Sequence, residues 1–337
     1  MTFGIGLIGA TDIAVRTMLQ PSADHQDMRV RAVAASDTGR AQAFALRHGL
    51  GRAHLRYADV VADPDIQLVY VSLHNSAHAV WAERAAAAGK YVVVEKPLCL
   101  SSDDHAAIER AESRGGGHVL EALPTLGHPW HTTVREWIGS GRYGELREVR
   151  SEFSFAVPRR GGYRLRQDLG GGCFFDAASY WLQALQDTAG LEGTDGAGRS
   201  DFDGPGGVDS TFSASLRLPS GHLARLECSF GPRHVAEHTF VFAEASVRIR
   251  GVLLPARGAV PLNLAVRTSA GHTTVTRTAP VSYYHQQFAR IRGLMRGDSG
   301  HWGAELDASG PRIARMAAIH QEARQRVAPT GPEEERT

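Results

Sequence analysis

Lys96 stands where a buried strand runs out. Val92-Val93-Val94 reads as a strand apolar on both faces, as in a parallel sheet, and Glu95-Lys96-Pro97 follows it directly. Proline has no N–H and a fixed φ, so it stops the strand and gives the lysine one exit direction. The carboxyl edge of an open parallel sheet is where ligands bind, so the charged pair falls where a ligand can meet it. A second group of residues, Gly9-Ala10-Thr11-Asp12-Ile13, follows the apolar run Phe3 to Ile8. Glycine at such a strand-to-helix turn lets the backbone approach a pyrophosphate, and the next helix offers unpaired N–H groups. The Gly-x-Gly-x-x-Gly spelled by Gly4 to Gly9 puts its first two glycines inside the strand, so the working loop is Gly9-Ala10-Thr11. Ser36-Asp37 closes the next strand about where groups meet an adenosine ribose. Asp37 argues for a free 2′-hydroxyl and hence NAD. Ser36 with Arg40 can instead hold a 2′-phosphate, and Asp37 can equally cap the following helix, so NAD and NADP stand as alternatives.

Alternating elements must position these groups. Strands are expected at Phe3–Ile8, Arg29–Ala35, Leu68–Leu73, Tyr91–Val94 and Val119–Glu121, with helices at Asp12–Gln20, Arg40–His48, His78–Ala88 and Asp103–Arg114. Strict alternation implies right-handed crossovers and a doubly wound parallel sheet. Beyond residue 122 the rhythm changes to a helix at Trp130–Ser140. Longer strands follow at Leu146–Val157, Ser210–Leu218, His222–Phe230, Thr239–Phe242 and Val247–Gly251. Short turns such as Pro219-Ser220-Gly221 point to a large, mostly antiparallel sheet in an α+β domain. The division is therefore 1–122, 123–330 and a tail at 331–337, with the glycine- and aspartate-rich stretch Gly190–Gly207 expected as a flexible surface loop.

Composition narrows the partners. A net charge of +1 in 337 residues gives no electrostatic footprint for nucleic acid or an anionic membrane, so a small molecule is expected. The start lacks a basic leader and no apolar stretch is long enough to span a bilayer, so a cytoplasmic location is expected. Cys99, Cys173 and Cys228 are widely spaced and odd in number, which argues against a disulfide framework. His74 and His78 lack a third ligand nearby, and no metal is expected.

The chain resembles the glucose-fructose oxidoreductase and inositol 2-dehydrogenase (Gfo/Idh/MocA) family. The resemblance rests on Gly6 to Ala14, on Tyr70-Val71-Ser72-Leu73-His74-Asn75-Ser76-Ala77-His78-Ala79, and on Ala88 to Leu98. It continues in Gly139 to Leu146 and in Gly170-Gly171-Gly172-Cys173-Phe174-Phe175-Asp176-Ala177-Ala178-Ser179-Tyr180. It implies a Rossmann domain followed by an open-faced α/β domain whose sheet mediates homodimers or homotetramers. It implies NAD(P)H as cofactor, with NADP(H) slightly favoured, and carries Leu73, His74, Asn75, His78, Glu95 and Lys96 to the cofactor. Catalysis would fall to Lys96, Asp176 and Tyr180; residues four apart on a helix share a face, so Asp176 and Tyr180 can look into one cleft. Arg164 and His128 would join Tyr180 in contacting substrate.

Tyrosine at position 180, where histidine is usual, looks like the branch of nucleotide-sugar ketoreductases, some pentose dehydrogenases and dihydrodiol dehydrogenases. The expected activity is hydride transfer between a nicotinamide and a sugar-type carbonyl or hydroxyl, foremost in reduction of a nucleotide-linked keto-deoxysugar. Alternatives are oxidation of a free sugar, cyclitol or dihydrodiol, and a non-catalytic NAD(P)-binding regulator.

Overall fold

Strands buried on both faces form the centre of the first sheet. In the computed structural model, which describes residues 2–156, 161–193, 195–298 and 301–327, the N-terminal part runs as follows: β1 (Phe3–Ile8), α1 (Asp12–Ala14), α2 (Gln20–Ala23), β2 (Met28–Ala34), α3 (Thr38–His48), β3 (Arg52–His54), α4 (Tyr57–Ala62), β4 (Leu68–Val71), α5 (Asn75–Ala87), β5 (Tyr91–Glu95), α6 (Ser102–Gly115) and β6 (His118–Ala122). All of β4 and the valines of β5 are buried. The six strands are parallel in the order β3-β2-β1-β4-β5-β6. Gly9, Ser36, Ser72 and Lys96 therefore leave the sheet along one carboxyl edge.

Two elements escape the periodicity of the sequence. β3 and α4 span only three and six residues, too short to show a period of two or 3.6. The helix expected at Asp12–Gln20 is composite, since a π-helical turn, Val15–Leu19, separates α1 from α2.

The second part contains α7 (Pro129–Gly139), β7 (Leu146–Phe155), α8 (Cys173–Thr188), β8 (Gly196–Arg199), β9 (Thr211–Arg217), β10 (Leu223–Phe230), β11 (Val235–Phe242), β12 (Ala245–Arg250), β13 (Asn263–Thr268), β14 (Thr273–Arg277), α9 (Tyr283–Arg296) and α10 (Trp302–Val327). Its eight strands order β14-β13-β12-β11-β7-β10-β9-β8, antiparallel throughout except for the β7–β10 pair. Residue 157, the expected end of the β7 strand, and the tail 331–337 lie outside the described residues. β8 corrects the reading of Gly190–Gly207 as a loop throughout. It pairs with β9, and its glycines admit α10, since a Cβ on Gly198 would stand 2.7 Å from Phe212 and 2.8 Å from Ile319.

β1–β6 make the first sheet and β7–β14 the second, but α9 and α10 return to the first one. Phe288, Ile291, Leu294 and Met295 of α9 and Trp302 of α10 share a core with Ile5, Leu7, Met18 and Leu120. α10 then lies against β6 and α6 on one side and β8 and α8 on the other. No helix among the described residues is long and apolar enough to cross a membrane.

Neutral imidazoles in the second core make it acid-sensitive. Burial depresses His238 to about 3 and His128 to about 4, with His131 adding to both. Their unfolded counterparts take up protons near 6.5, so the stability these groups contribute is complete above that pH. It falls as acid protonates the unfolded chain first, by roughly 1.4 kcal/mol per pH unit for each histidine. Urea midpoints should drop between neutrality and about pH 5; a flat profile would mean that these rings are solvated.

Candidate active site

Lys96 leaves β5 and meets the first turn of α8. Its Nζ lies 3.0 Å from the carbonyl oxygen of Asp176 and 3.1 Å from Oδ1 of the same residue. The second carboxylate oxygen of Asp176 accepts a hydrogen bond from Arg164 Nε, the guanidinium reaching over from the segment before the three glycines. Burial opposes ionisation of Asp176, but the two cations outweigh it and hold the carboxyl below its ordinary range. Lys96 and Arg164 are thus two cations fixed by one buried anion.

One helical turn on, Tyr180 lies beside the lysine. Lys96 Nζ is 5.1 Å from the centroid of its ring, which also stacks on Phe153 at 6.0 Å. Among the described residues, its hydroxyl makes no hydrogen bond. Burial pushes the phenol well above its ordinary range, and the carboxylates of Glu95 and Asp176 push the same way against Arg164. Tyr180 therefore carries its proton at neutral pH. Glu95 accepts a hydrogen bond from Tyr70, and burial raises its carboxyl despite that bond and the charge of Lys96.

These groups line a cavity of about 620 Å³ that runs from Thr11, Ile13 and Arg16 to an aromatic wall of Phe155, Tyr163, Phe230 and Tyr284. A second cavity of about 450 Å³ adjoins it through Thr11, Ser72, Leu73 and Tyr163. Gly9 sits at the join with φ +113°. A Cβ there would stand 2.4 Å from the Ser72 carbonyl oxygen, so only glycine lets strand ends β1 and β4 close together. Thr11 caps the first helix through Ala14 N and shares a 2.8 Å hydrogen bond with Ser72 Oγ. The smaller cavity continues over Ala10, Ser36, Arg40, Tyr57, His74 and Trp81. The two cavities lie end to end along the carboxyl edge of the parallel sheet, where ligands of such sheets bind.

Several residues expected at the site are placed elsewhere. His128, expected on substrate, is fully buried: its Nδ1 accepts from Trp130 N at the start of α7, and its ring meets Tyr283 edge-on. The Pro129 that follows starts a helix and draws the imidazole inward as a cap. Asp37 turns to Arg40 N at 2.9 Å as the cap of α3 and does not line the small cavity. Asn75 is buried and donates to the Gly170 carbonyl. His78 borders the large cavity, but its ring nitrogens face the carbonyls of Pro97 and Leu73, to one of which the neutral imidazole donates. Asp12 is exposed and lines neither cavity, whereas its neighbour Ile13 lines the larger.

Ser72, Arg16, Tyr163 and Tyr284 were not singled out from sequence. Ser72 could have been, since it follows β4 directly on the same carboxyl edge. Tyr284 has no such signal, because it reaches the site only through the return of α9.

Residues 3–121 match the family model described as the oxidoreductase family with an NAD-binding Rossmann fold, and residues 131–249 match the GFO/IDH/MocA C-terminal domain. An uncharacterized oxidoreductase of Rhizobium meliloti is 30% identical over 87% of this chain and 89% of its own. A dTDP-3,4-didehydro-2,6-dideoxy-alpha-D-glucose 3-reductase of Saccharopolyspora spinosa is 34% identical over 67% of this chain and 68% of its own. Among solved structures, the 3-ketoreductase KijD10 of Actinomadura kijaniata, in complex with NADP and TDP-benzene, superimposes with a TM-score of 0.86. It is 23% identical, over 96% of this chain and 98% of that one.

Proposed function

Because this chain belongs to the Gfo/Idh/MocA family of NAD-binding oxidoreductases, we propose that it reduces the keto group of a nucleotide-linked keto-deoxysugar, with NADPH as the reductant. The observation that carries this reading is the buried Tyr180 beside Lys96, with Asp176 and Arg164 next to them, in the large cavity. A bound reduced nicotinamide supplies the hydride. As the carbonyl oxygen takes on charge, Tyr180 donates its proton to that oxygen, and Lys96, whose Nζ lies 5.1 Å from the centre of the Tyr180 ring, stabilises the resulting phenolate. A phenol made less acidic by burial is matched to a weakly acidic alcohol product. The reverse oxidation would need the phenolate that burial disfavours. Asp176 holds the ammonium in place, and Arg164 keeps Asp176 ionised.

The substrate class rests on the kinship with the 3-reductase of S. spinosa. It is tested by following nicotinamide absorbance with that relative's dTDP-linked ketosugar, against D-xylose, myo-inositol and trans-dihydrobenzenediol in the oxidative direction. Faster oxidation of any of the three would replace this reading with that of a dehydrogenase.

NADPH is favoured over NADH because Ser36 and Arg40 line the small cavity, Arg40 Nη1 lying 3.2 Å from Ser36 Oγ, while Asp37 is spent on its helix. Arg40→Ser should weaken NADPH binding by roughly 10- to 100-fold and leave NADH nearly unchanged, the loss of one charge-assisted hydrogen bond. Fluorescence titration checks this, and an equal loss for both cofactors would rule out a 2′-phosphate contact.

We further propose that the outward face of the second sheet pairs two copies. It alternates Arg150 with Glu148 and Arg248 with Glu237 over a broad recess, a pattern that can complement itself. Sedimentation of the wild type against Arg248→Glu reads this out.

A further inference from the structure

Behind the site, one carboxylate ties together the elements that carry its two halves. Glu121, next to last in β6, has a side chain only 2% exposed. Its Oε1 accepts from Leu98 N at 3.2 Å and from Ser179 Oγ at 3.4 Å. Leu98 lies two residues beyond Lys96, and Ser179 lies between Asp176 and Tyr180. The other oxygen, Oε2, accepts from Arg312 Nη2 at 2.8 Å. Arg312, on α10, is itself buried and also donates to the Ala308 carbonyl and to Gln186 at the far end of α8.

We infer that Glu121 and Arg312 are positioning residues that set the spacing between the Lys96 loop and α8. The inference rests on the reading of Lys96 and Tyr180 as the proton-delivering pair. Neither Glu121 nor Arg312 lines the catalytic cavity. The contact they fix is narrow: Lys96 Nζ must stay within hydrogen-bond reach of both oxygens it meets on Asp176, and a shift of either element by an ångström breaks it. A buried ion pair is weak evidence for stability on its own, but losing one partner strands the other charge. Without Arg312, the Glu121 carboxylate must move or take a proton, and Leu98 and Ser179 move with it.

The composition of the chain supplies a readout that needs no substrate. Lys90 and Lys96 are the only two lysines in the sequence. Lys90 Nζ is engaged by the carbonyls of Asp63 and Ile66 on the opposite edge of the sheet, so it serves as an internal control. Acetylation of the native protein by an N-hydroxysuccinimidyl ester, read by peptide mass spectrometry, measures both amines at once. In Arg312→Ala, Lys96 should be acetylated roughly fivefold faster than in the wild type while Lys90 is unchanged, because an ammonium released from Asp176 gives up its proton more easily. Arg312 lines a polar recess of about 190 Å³ with Arg290, Glu305 and Asp187, so millimolar guanidinium should enter the vacated space and restore the slow rate.

In turnover, kcat should fall about tenfold with KM for NADPH unchanged, and guanidinium should rescue it. An unchanged Lys96 rate in a folded Arg312→Ala protein overturns the inference. If that variant does not fold, Ser179→Ala carries the same labelling test by removing one hydroxyl. Should Lys96→Met leave turnover intact while Arg312→Ala still unmasks Lys96, the positioning role stands and the proton-delivery reading fails.

Discussion

Lys96→Met should slow carbonyl reduction by roughly 10²- to 10³-fold, the effect of removing one preorganised charge from beside the phenolate that forms on Tyr180, while NADPH binding changes little. Methionine matches lysine in length and fills the same channel, in which the lysine side chain is only 11% exposed, so the fold should survive. Asp176 keeps Arg164 as its partner, and no orphaned anion is created. Single-turnover kinetics at saturating NADPH separate the chemical step from binding. A loss below tenfold would mean that the ammonium serves only to place Asp176, and the assignment of charge stabilisation to Lys96 would be withdrawn.

Tyr180→Phe should cost roughly 10²- to 10⁴-fold in the same step, the range for loss of a positioned general acid. The ring keeps its stacking on Phe153 and its place beside Lys96, so the change is confined to one proton. Two features make the result specific. Burial raises the phenol above its ordinary range, so the reductive kcat of the wild type should hold steady across neutrality. The reverse oxidation should climb with pH because it requires the phenolate. In the double variant, the two losses should not multiply, since Lys96 acts on the phenolate that Tyr180 leaves behind. A fully multiplicative double variant would separate the two residues into independent roles.

What could be read from sequence was what strand periodicity marks. Gly9, Ser36 and Lys96 each follow an apolar run, and parallel strands bring all such ends to one edge. Asp176 and Tyr180 came through the family resemblance, with four-residue spacing adding that they share a helical face. Packing decided the rest, and packing has no local signal. His128 carries a polar ring that sequence cannot distinguish from a substrate contact until Tyr283 closes over it. Asp37 satisfied two local rules at once, and the cap prevailed because the Arg40 amide lies three residues away. Gly196–Arg199 has a loop-like composition, yet those glycines are what allow α10 to lie on the strand.

The return of α9 and α10 to the first sheet also sets an order of events during synthesis. The dinucleotide-binding half is encoded first, but the core beneath it stays open until Phe288, Ile291, Leu294 and Trp302 have left the ribosome. Tyr284, which walls the large cavity, arrives with them. A nascent chain ending near residue 122 therefore presents a bare apolar face to solvent and to chaperones. The same fragment, produced alone, lacks the side chains that pack against Ile5 and Leu7 of β1. The wall of the large cavity is complete only after α9 has been made.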